Sequence, residues 1–163
     1  MNAIDLLEKQ HEEVEELFED FEGAGEKARK TKERLCREIS DALAIHAEIE
    51  EKIFYPESKQ ENTEAILRES VEEHLAMKRT LADLLESDVD DAQFDARMKV
   101  LKEEVEHHVK EERTELFPKV KKNCSKEELE DMGARMQQMA EKLEEEGEPS
   151  KSVPGQTDEP AHI

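Results

Sequence analysis

The feature that most constrains the fold is a spacing that occurs twice along the chain. In IHAEIEEKIFYP (45–56) and HHVKEERTELFP (107–118), a histidine lies ten residues before a proline and a glutamate lies six residues before it. The repeated residues are His46, Glu50 and Pro56 in the first copy and His108, Glu112 and Pro118 in the second. Residues four apart on a helix lie on the same side, so each histidine–glutamate pair shares one helical face.

The spacing of apolar residues predicts five helices. The expected ranges are 2–22, 26–55, 63–86, 92–120 and 126–145. Asn2 is a candidate N-cap of the first helix, and Ser125 with Glu128 forms a capping box before the fifth. Pro56 is expected to stop the second helix, and Pro118 to kink or end the fourth.

The first four helices form a tandem repeat of helix pairs. His11 precedes His46 by 35 residues, and His74 precedes His108 by 34. Two similar antiparallel pairs predict an all-α fold, an up-down-up-down four-helix bundle with a fifth C-terminal helix and a flexible tail. We expect the bundle over residues 1–122, an additional amphipathic helix over 123–146 and a disordered tail, rich in Pro, Gly and Ser, over 147–163.

Composition excludes several partners. The net charge is −21, and such a surface repels phosphate backbones and anionic lipid, so neither a nucleic acid nor a membrane partner is expected. Charged residues make up 42% of the chain and aromatic residues 4%, which favours long helices over a sheet. Asp5 interrupts the apolar N-terminal run, so we expect no signal peptide and a cytoplasmic location.

The core-facing stripes carry polar groups that an apolar core does not tolerate alone. His11 and His74 occupy stripe positions on the first and third helices, and the repeated His–Glu pairs occupy them on the second and fourth. A buried polar group without a partner costs roughly 1–3 kcal/mol, and a buried charge costs more. Imidazole and carboxylate ligands suit iron, zinc or manganese, and four histidines with two glutamates suit two adjacent ions. Either stripe histidine taken alone could be a core histidine, but the duplication favours a metal site.

Other polar residues are expected outside the ligand set. His107 is rotated by about 100° from His108 and is either a flanking residue or a neighbour of the ligands. Glu48, Glu51 and Glu111 are expected to be solvated. The Met-rich stripe of the fifth helix is expected to cover the bundle or to mediate a homodimer, so the chain is predicted to be a monomer or a homodimer through that helix.

Four segments together resemble the hemerythrin-like, or HHE cation-binding, family. They are KQHEEVEELF, IHAEIEEKIFYP, EEHLAMKRTLADLL and HHVKEERTELFP, within residues 1–120. The resemblance implies a non-heme di-iron centre inside a four-helix bundle, with an oxo or hydroxo species completing the coordination. It implies that His11, His46, His74 and His108 are terminal ligands and that Glu50 and Glu112 bridge the two irons. Zinc or manganese remain alternatives to iron.

The sequence departs from the oxygen-carrying hemerythrins at two places. Those proteins have a second histidine where this chain has Lys78, and an aspartate where it has Arg113. One fewer neutral ligand leaves an open coordination position, and carboxylate-rich ligation favours ferric iron, so both departures argue against simple reversible oxygen carriage. Lys78 is expected either to hydrogen-bond a bound oxygen species or to extend its ammonium group to solvent.

Three functions are compatible with this pattern. The first is a non-heme di-iron protein that binds O2 or nitric oxide for storage or sensing. The second is a di-iron enzyme that acts on peroxide, like a catalase, or oxidises ferrous iron. The third is a structural module whose folding depends on metal. We expect the first, with peroxide chemistry as the alternative.

Overall fold

The structure is a computed structural model that describes residues 1–25 and 28–163. The described chain contains helices and no strand, which confirms the predicted all-α bundle. Its α-helices are α1 (Ala3–Gly23), α2 (Arg29–Ile49), α3 (Tyr55–Glu57), α4 (Glu64–Glu86), α5 (Phe94–Glu111), α6 (Phe117–Asn123) and α7 (Lys126–Glu146). Within those ranges, no helix is long and apolar enough to cross a membrane.

The two helix starts that were predicted from capping residues, at Asn2 and Ser125, agree with the structure. The side chain of Asn2 accepts a hydrogen bond of 2.9 Å from the backbone N–H of Asp5. Ser125 and Glu128 form both hydrogen bonds of the capping box at the start of α7. Residues 26 and 27, where the second helix was expected to begin, lie outside the described residues.

A π-helical turn follows each repeated histidine. One such turn, Glu50–Phe54, joins α2 to α3, and the three together form the second bundle helix. The other, Glu112–Leu116, joins α5 to α6 in the same way and forms the fourth bundle helix, while α1 and α4 are the first and third. The N–H of Tyr55 donates to the carbonyl of Glu50, five residues earlier, and the N–H of Phe117 donates to that of Glu112 in the same way. Such turns occur mostly as single insertions in α-helices, frequently at functional sites.

The two prolines differ in how their helices go on after them. The helix continues past Pro56 to Glu57, and past Pro118 to Asn123. A proline inside a regular α-helix loses one hydrogen bond and clashes with the carbonyl four residues earlier. Each proline here lies two residues after the last residue of a widened π turn, and we attribute the continuation of the helix to that wider spacing.

The core is divided into two apolar clusters along the bundle axis. One contains Ile4 and Leu7 of α1 together with Leu67 of α4, and the other contains Phe18 of α1 and Leu81 of α4. On both helices the histidine lies between these segments. On the second and fourth helices it also lies at the boundary of the two clusters, but there the second cluster comes first along the chain. The histidines and glutamates therefore form a polar layer with packed apolar side chains on both sides.

Helix α7 packs along the outside of the bundle on its own chain. Its apolar stripe is buried at Leu129, Met132 and Met136 against α1 and the second bundle helix. At Gly133 a Cβ atom would lie 2.4 Å from the carbonyl oxygen of Met1, so only glycine allows this approach. The stripe therefore covers the bundle, and its burial does not require a homodimer.

Part of the C-terminal tail, for which composition predicts disorder, packs against the bundle in the structure. Residues Pro149–Gln156 form a 3-10 helix over α2 and α4. Val153 is buried to 2% exposure in the second apolar cluster, and the N–H of Ser150 donates to Asp41. This segment has little intrinsic preference for helix, and it is held on the bundle by one buried apolar side chain and a few hydrogen bonds. Composition alone does not predict such tertiary contacts.

Candidate metal centre

The bundle brings all six predicted site residues into one buried layer. Each of the four helices contributes one histidine, and the π turns of the second and fourth helices begin at the two glutamates. All six are at most 6% exposed, and they are His11, His46, Glu50, His74, His108 and Glu112. Their nitrogen and oxygen atoms form two groups, each close enough to surround one ion.

The first position consists of His11, His46 and Glu112. Nε2 of His11 lies 3.1 Å from Oε1 of Glu112, and Nε2 of His46 lies 3.9 Å from the same oxygen. These residues come from the first, second and fourth helices. The first position therefore offers two imidazoles and one carboxylate.

The second position consists of Glu50, His74 and His108. Nε2 of His74 lies 3.1 Å from Oε1 of Glu50 and 3.1 Å from Nε2 of His108. Its donor set is equivalent to the first, because the two helix pairs repeat.

Both carboxylates reach across the two positions. Oε1 of Glu50 lies 3.0 Å from Nε2 of His46, which belongs to the first position. Oε1 of Glu112 lies 3.3 Å from Nε2 of His108, which belongs to the second. Either carboxylate could therefore contact ions at both positions, which is the bridging role that the family resemblance implies for them.

Three of the four histidines have their outer nitrogen held by a side chain. Nδ1 of His74 lies 2.7 Å from Glu51, and Nδ1 of His108 lies 2.8 Å from Glu73. Nδ1 of His46 lies 2.7 Å from the amide oxygen of Gln10. Such contacts fix the ring tautomer and leave Nε2 free to bind a metal.

The expectation that Glu51 is solvated is wrong. Its carboxylate is 6% exposed and lies between Nδ1 of His74 and the ammonium group of Lys78. Burial is possible because both oxygens are paired, Oε2 with the imidazole and Oε1 with the ammonium at 2.8 Å.

Tyr55 joins the site although it was not among the predicted residues. Its hydroxyl lies 3.2 Å from Nε2 of both His74 and His108, and it donates a hydrogen bond of 3.1 Å to Oε2 of Glu112. Phe117 occupies the equivalent place in the second copy and stacks on the ring of His11, with centroids 6.0 Å apart. The repeated aromatic–proline ending was the available sequence signal.

The two residues predicted beside the site differ in their distance from it. Lys78 is buried and hydrogen-bonds Glu51, so it does not extend to solvent. The side chain of His107 is 63% exposed and lies 3.0 Å from Glu73, which in turn contacts His108. Lys78 therefore supports a neighbour of the site, whereas His107 belongs to a surface group with Glu69, Glu73 and Glu111.

Imidazoles and carboxylates in the buried layer shift each other's pKa values. Burial by itself lowers the pKa of His46, but the carboxylates of Glu50 and Glu112 outweigh it and raise the pKa to about 9. Burial and Glu112 raise the pKa of Glu50, yet the nearby imidazoles lower it to about 2. The carboxylates are therefore charged, and a cation that binds between them must displace protons from imidazole.

The residues present fit a pair of metal ions. Hydrogen-bonding partners are absent for Nδ1 of His11, Nε2 of His46 and Oε2 of Glu50 within the described part of the chain. Nε2 of His46 lies close to Glu50 but in a geometry that does not form a hydrogen bond. Two of these atoms, Nε2 of His46 and Oε2 of Glu50, belong to the groups that converge on the centre, where a cation would satisfy them.

A small cavity adjoins the histidines. It has a volume of about 30 Å³, and its walls include the imidazoles of His11, His46, His74 and His108. Apolar side chains form most of the remaining wall, and Val153 of the C-terminal 3-10 helix closes one side. A cavity of this size holds one or two small molecules, since about 10–15 Å³ suffices for a water.

Comparisons with known proteins agree with this geometry. A family model of the hemerythrin HHE cation-binding domain matches residues 2–120. The solved structure of a hemerythrin HHE cation-binding domain-containing protein from Mycobacterium kansasii is similar, with a TM-score of 0.74 and 25% identity. That match covers 93% of this chain and 99% of the other.

A curated relative is much longer. A protein named DNA nickase from Nostoc sp. strain PCC 7120 is 27% identical over 145 residues, which are 89% of this chain and 41% of that protein. The chain thus spans less than half the length of this relative. Because the family model covers most of the chain and its four histidine-bearing helices, the chain belongs to the hemerythrin HHE cation-binding domain family.

Proposed function

We propose that the chain holds two iron ions, one at each position, and binds O2 or nitric oxide as a small ligand. In this proposal Glu50 and Glu112, which each lie near histidines of both groups, would bridge the ions, and the four histidines would be terminal ligands. Bound iron supplies electrons and an open coordination position, which the side chains of the protein alone cannot provide.

One relationship carries the proposal. The Nε2 atoms of His74 and His108 lie 3.1 Å apart, while the Nδ1 atom of each ring contacts a carboxylate. A neutral imidazole that donates from Nδ1 presents a lone pair at Nε2. Two lone pairs at this distance repel unless a proton or a metal ion lies between them. The buried carboxylates, Glu112 first, raise the pKa of His108, so a proton fills this place when no metal is bound, and a metal ion attracted by Glu50 and Glu112 would replace it.

The surroundings favour a small and uncharged ligand. The adjoining cavity is about 30 Å³ and mostly apolar, with Lys78 in its wall beside the four histidines, and a space of this kind suits a small ligand. The two apolar clusters exclude bulk water from the polar layer and strengthen its electrostatic interactions. A diatomic gas meets both conditions.

Tyr55 favours a second candidate, a di-iron enzyme that acts on peroxide or oxidises ferrous iron. Its hydroxyl lies within 3.2 Å of two histidines and one glutamate of the site. A phenol at this place can hold and pass a proton, which reversible gas binding does not need. DNA cleavage, by contrast, is a weaker candidate, because a net charge of −21 repels the phosphate backbone.

An anaerobic loading experiment separates the two candidates. The metal-free chain is loaded with ferrous iron under nitrogen, its absorption spectrum is recorded, O2 is admitted and the sample is purged again. A charge-transfer band that appears with O2 and vanishes on purging is expected from reversible binding. A ferric spectrum that persists favours the enzyme, and turnover of added peroxide then tests it.

Two adjacent histidines provide the matched control. His107→Ala removes an exposed imidazole and is expected to retain two irons per chain. His108→Ala removes a buried one from the same helical turn and is expected to retain fewer. Iron binding below one ion per unmodified chain, or equal retention by the two variants, contradicts the proposal.

A further inference from the structure

The two metal positions differ in what holds their histidines. At the second position both imidazoles contact carboxylates through Nδ1, His74 with Glu51 at 2.7 Å and His108 with Glu73 at 2.8 Å. Both contacts are buried or half-buried, so solvent screens them little.

The first position has no equivalent carboxylates. His46 contacts the neutral amide oxygen of Gln10 at 2.7 Å through Nδ1. Nδ1 of His11 has no hydrogen-bonding partner in residues 1–25 and 28–163. The ligands are therefore duplicated, but their supporting contacts are not.

The difference is present at equivalent places of the repeat. Gln10 and Glu73 each directly precede the histidine of the first helix of their pair, and each contacts the histidine of the second helix. Glu51 directly follows Glu50, and the exposed Arg113 occupies the equivalent place after Glu112. In both comparisons the acidic residue, Glu73 or Glu51, contacts a histidine of the second position.

A carboxylate that accepts the Nδ1 proton makes the imidazole a stronger electron donor at Nε2 and holds its orientation. We propose that the two positions have unequal affinity and that the second position binds metal first and more tightly. Glu51 and Glu73 are positioning residues in this inference, acting through His74 and His108. The inference rests on the proposed function, because it requires that both positions take metal.

Lys78 contributes to the same asymmetry from outside the ligand set. Its ammonium group lies 2.8 Å from Oε1 of Glu51, whose other oxygen contacts His74. Lys78 thus fixes the carboxylate on the imidazole. The equivalent residue of the first helix is Glu15, four residues after His11, and it lines an open groove instead.

An equilibrium titration of the metal-free full chain with zinc, in competition with a fluorescent zinc chelator, tests the inference. Two binding steps in the unmodified chain do not decide it alone, because adjacent cations repel and separate the steps even for equal positions. The decision comes from a matched pair, Glu73→Gln and Gln10→Glu, which exchange the residues found at equivalent places. Circular dichroism of each metal-free variant verifies that its helices are intact.

Unequal positions give a distinctive result. Glu73→Gln is expected to weaken the tighter step by about 10-fold or more and to leave the weaker step unchanged. Gln10→Glu is expected to tighten the weaker step and to leave the tighter step unchanged. Glu51→Gln combined with Lys78→Met, which removes the buried charge pair together, is expected to act like Glu73→Gln.

Equal positions give the opposite pattern. Glu73→Gln then weakens mainly the weaker binding step, and Gln10→Glu tightens mainly the tighter step. This result overturns the inference and leaves the two-metal proposal intact. If the unmodified chain binds no zinc and no ferrous iron, the proposed function and the inference fail together. Should Glu73→Gln lose its helices, Gln10→Glu alone still decides between the two patterns.

Discussion

The hydroxyl of Tyr55 lies 3.1 Å from Oε2 of Glu112 and donates a hydrogen bond to it, from the second bundle helix to the fourth. Residues five apart on a regular α-helix differ by about 140°, so Tyr55 and Glu50 would lie on different faces of such a helix. The π turn between them brings both to the site.

Replacing Tyr55 with phenylalanine tests this contact. The second copy of the repeat already has phenylalanine there, so Tyr55→Phe is expected to fold and to bind metal. It leaves one oxygen of a buried carboxylate without its donor, which costs roughly 1–3 kcal/mol of unfolding free energy. Urea denaturation of the metal-free variant measures the loss, and unchanged stability contradicts the hydrogen bond.

Removing a candidate ligand is expected to affect metal and stability together. His74→Ala and Glu50→Ala each remove a group shared by several buried contacts, and each is expected to lower metal content by at least one ion per chain. Each variant also leaves buried hydrogen-bonding partners unpaired, at about 1–3 kcal/mol for each such group. Metal analysis and thermal unfolding measure the two effects, with His107→Ala as the control that is expected to change neither. Full metal retention in both ligand variants rules out the site assignment.

The metal-free chain is expected to lose stability as the pH rises from about 6.5 to about 9. The pKa of His46 is about 9 in the folded chain and near 6.5 when unfolded, so the folded chain holds an extra proton across this range. Its stabilising effect is complete below the unfolded pKa and is lost as the pH passes the folded pKa. Urea denaturation at several pH values measures the slope.

Glu111 provides the control for this pH dependence. Burial and the neighbouring Glu73 raise its pKa to about 8, so it contributes a slope of the same sign from the surface. Glu111→Gln removes that contribution, and a slope that persists in the variant belongs to the buried layer. Metal that occupies the site displaces the His46 proton, so the loaded chain is expected to show a smaller slope.

The C-terminal 3-10 helix closes one side of the cavity, and this has a measurable consequence. Val153→Ser replaces the buried side chain that lines the cavity and is expected to loosen the segment, since burying a valine contributes about 1.5–3 kcal/mol. A soluble chelator is then expected to remove bound metal faster than from the unmodified chain. Lys151→Ala, on the exposed side of the segment, is the matched control. Equal removal rates in the three proteins contradict the closing role.

The convergence of the six candidate ligands was predictable from sequence because helical phase decides which residues face a core. His11, His46, His74 and His108 fall on apolar stripes, and the duplicated spacing adds Glu50 and Glu112. The same phase predicted the all-α bundle and the helix starts at Asn2 and Ser125. These inferences use only local geometry, which the sequence specifies directly.

Tertiary packing decided which other residues act at the site. Glutamates lie on every face of these helices, so no local pattern distinguishes buried Glu51 and half-buried Glu73 from the many solvated acids. Tyr55 faces the site through a π turn, and Val153 is buried only because the tail packs across two helices distant in sequence. The sequence by itself determined the bundle and its candidate ligands, since both follow from a repeat of 3.6 residues per turn. The contacts that make the two positions unequal depend on which helix packs against which, and that is a property of the folded chain alone.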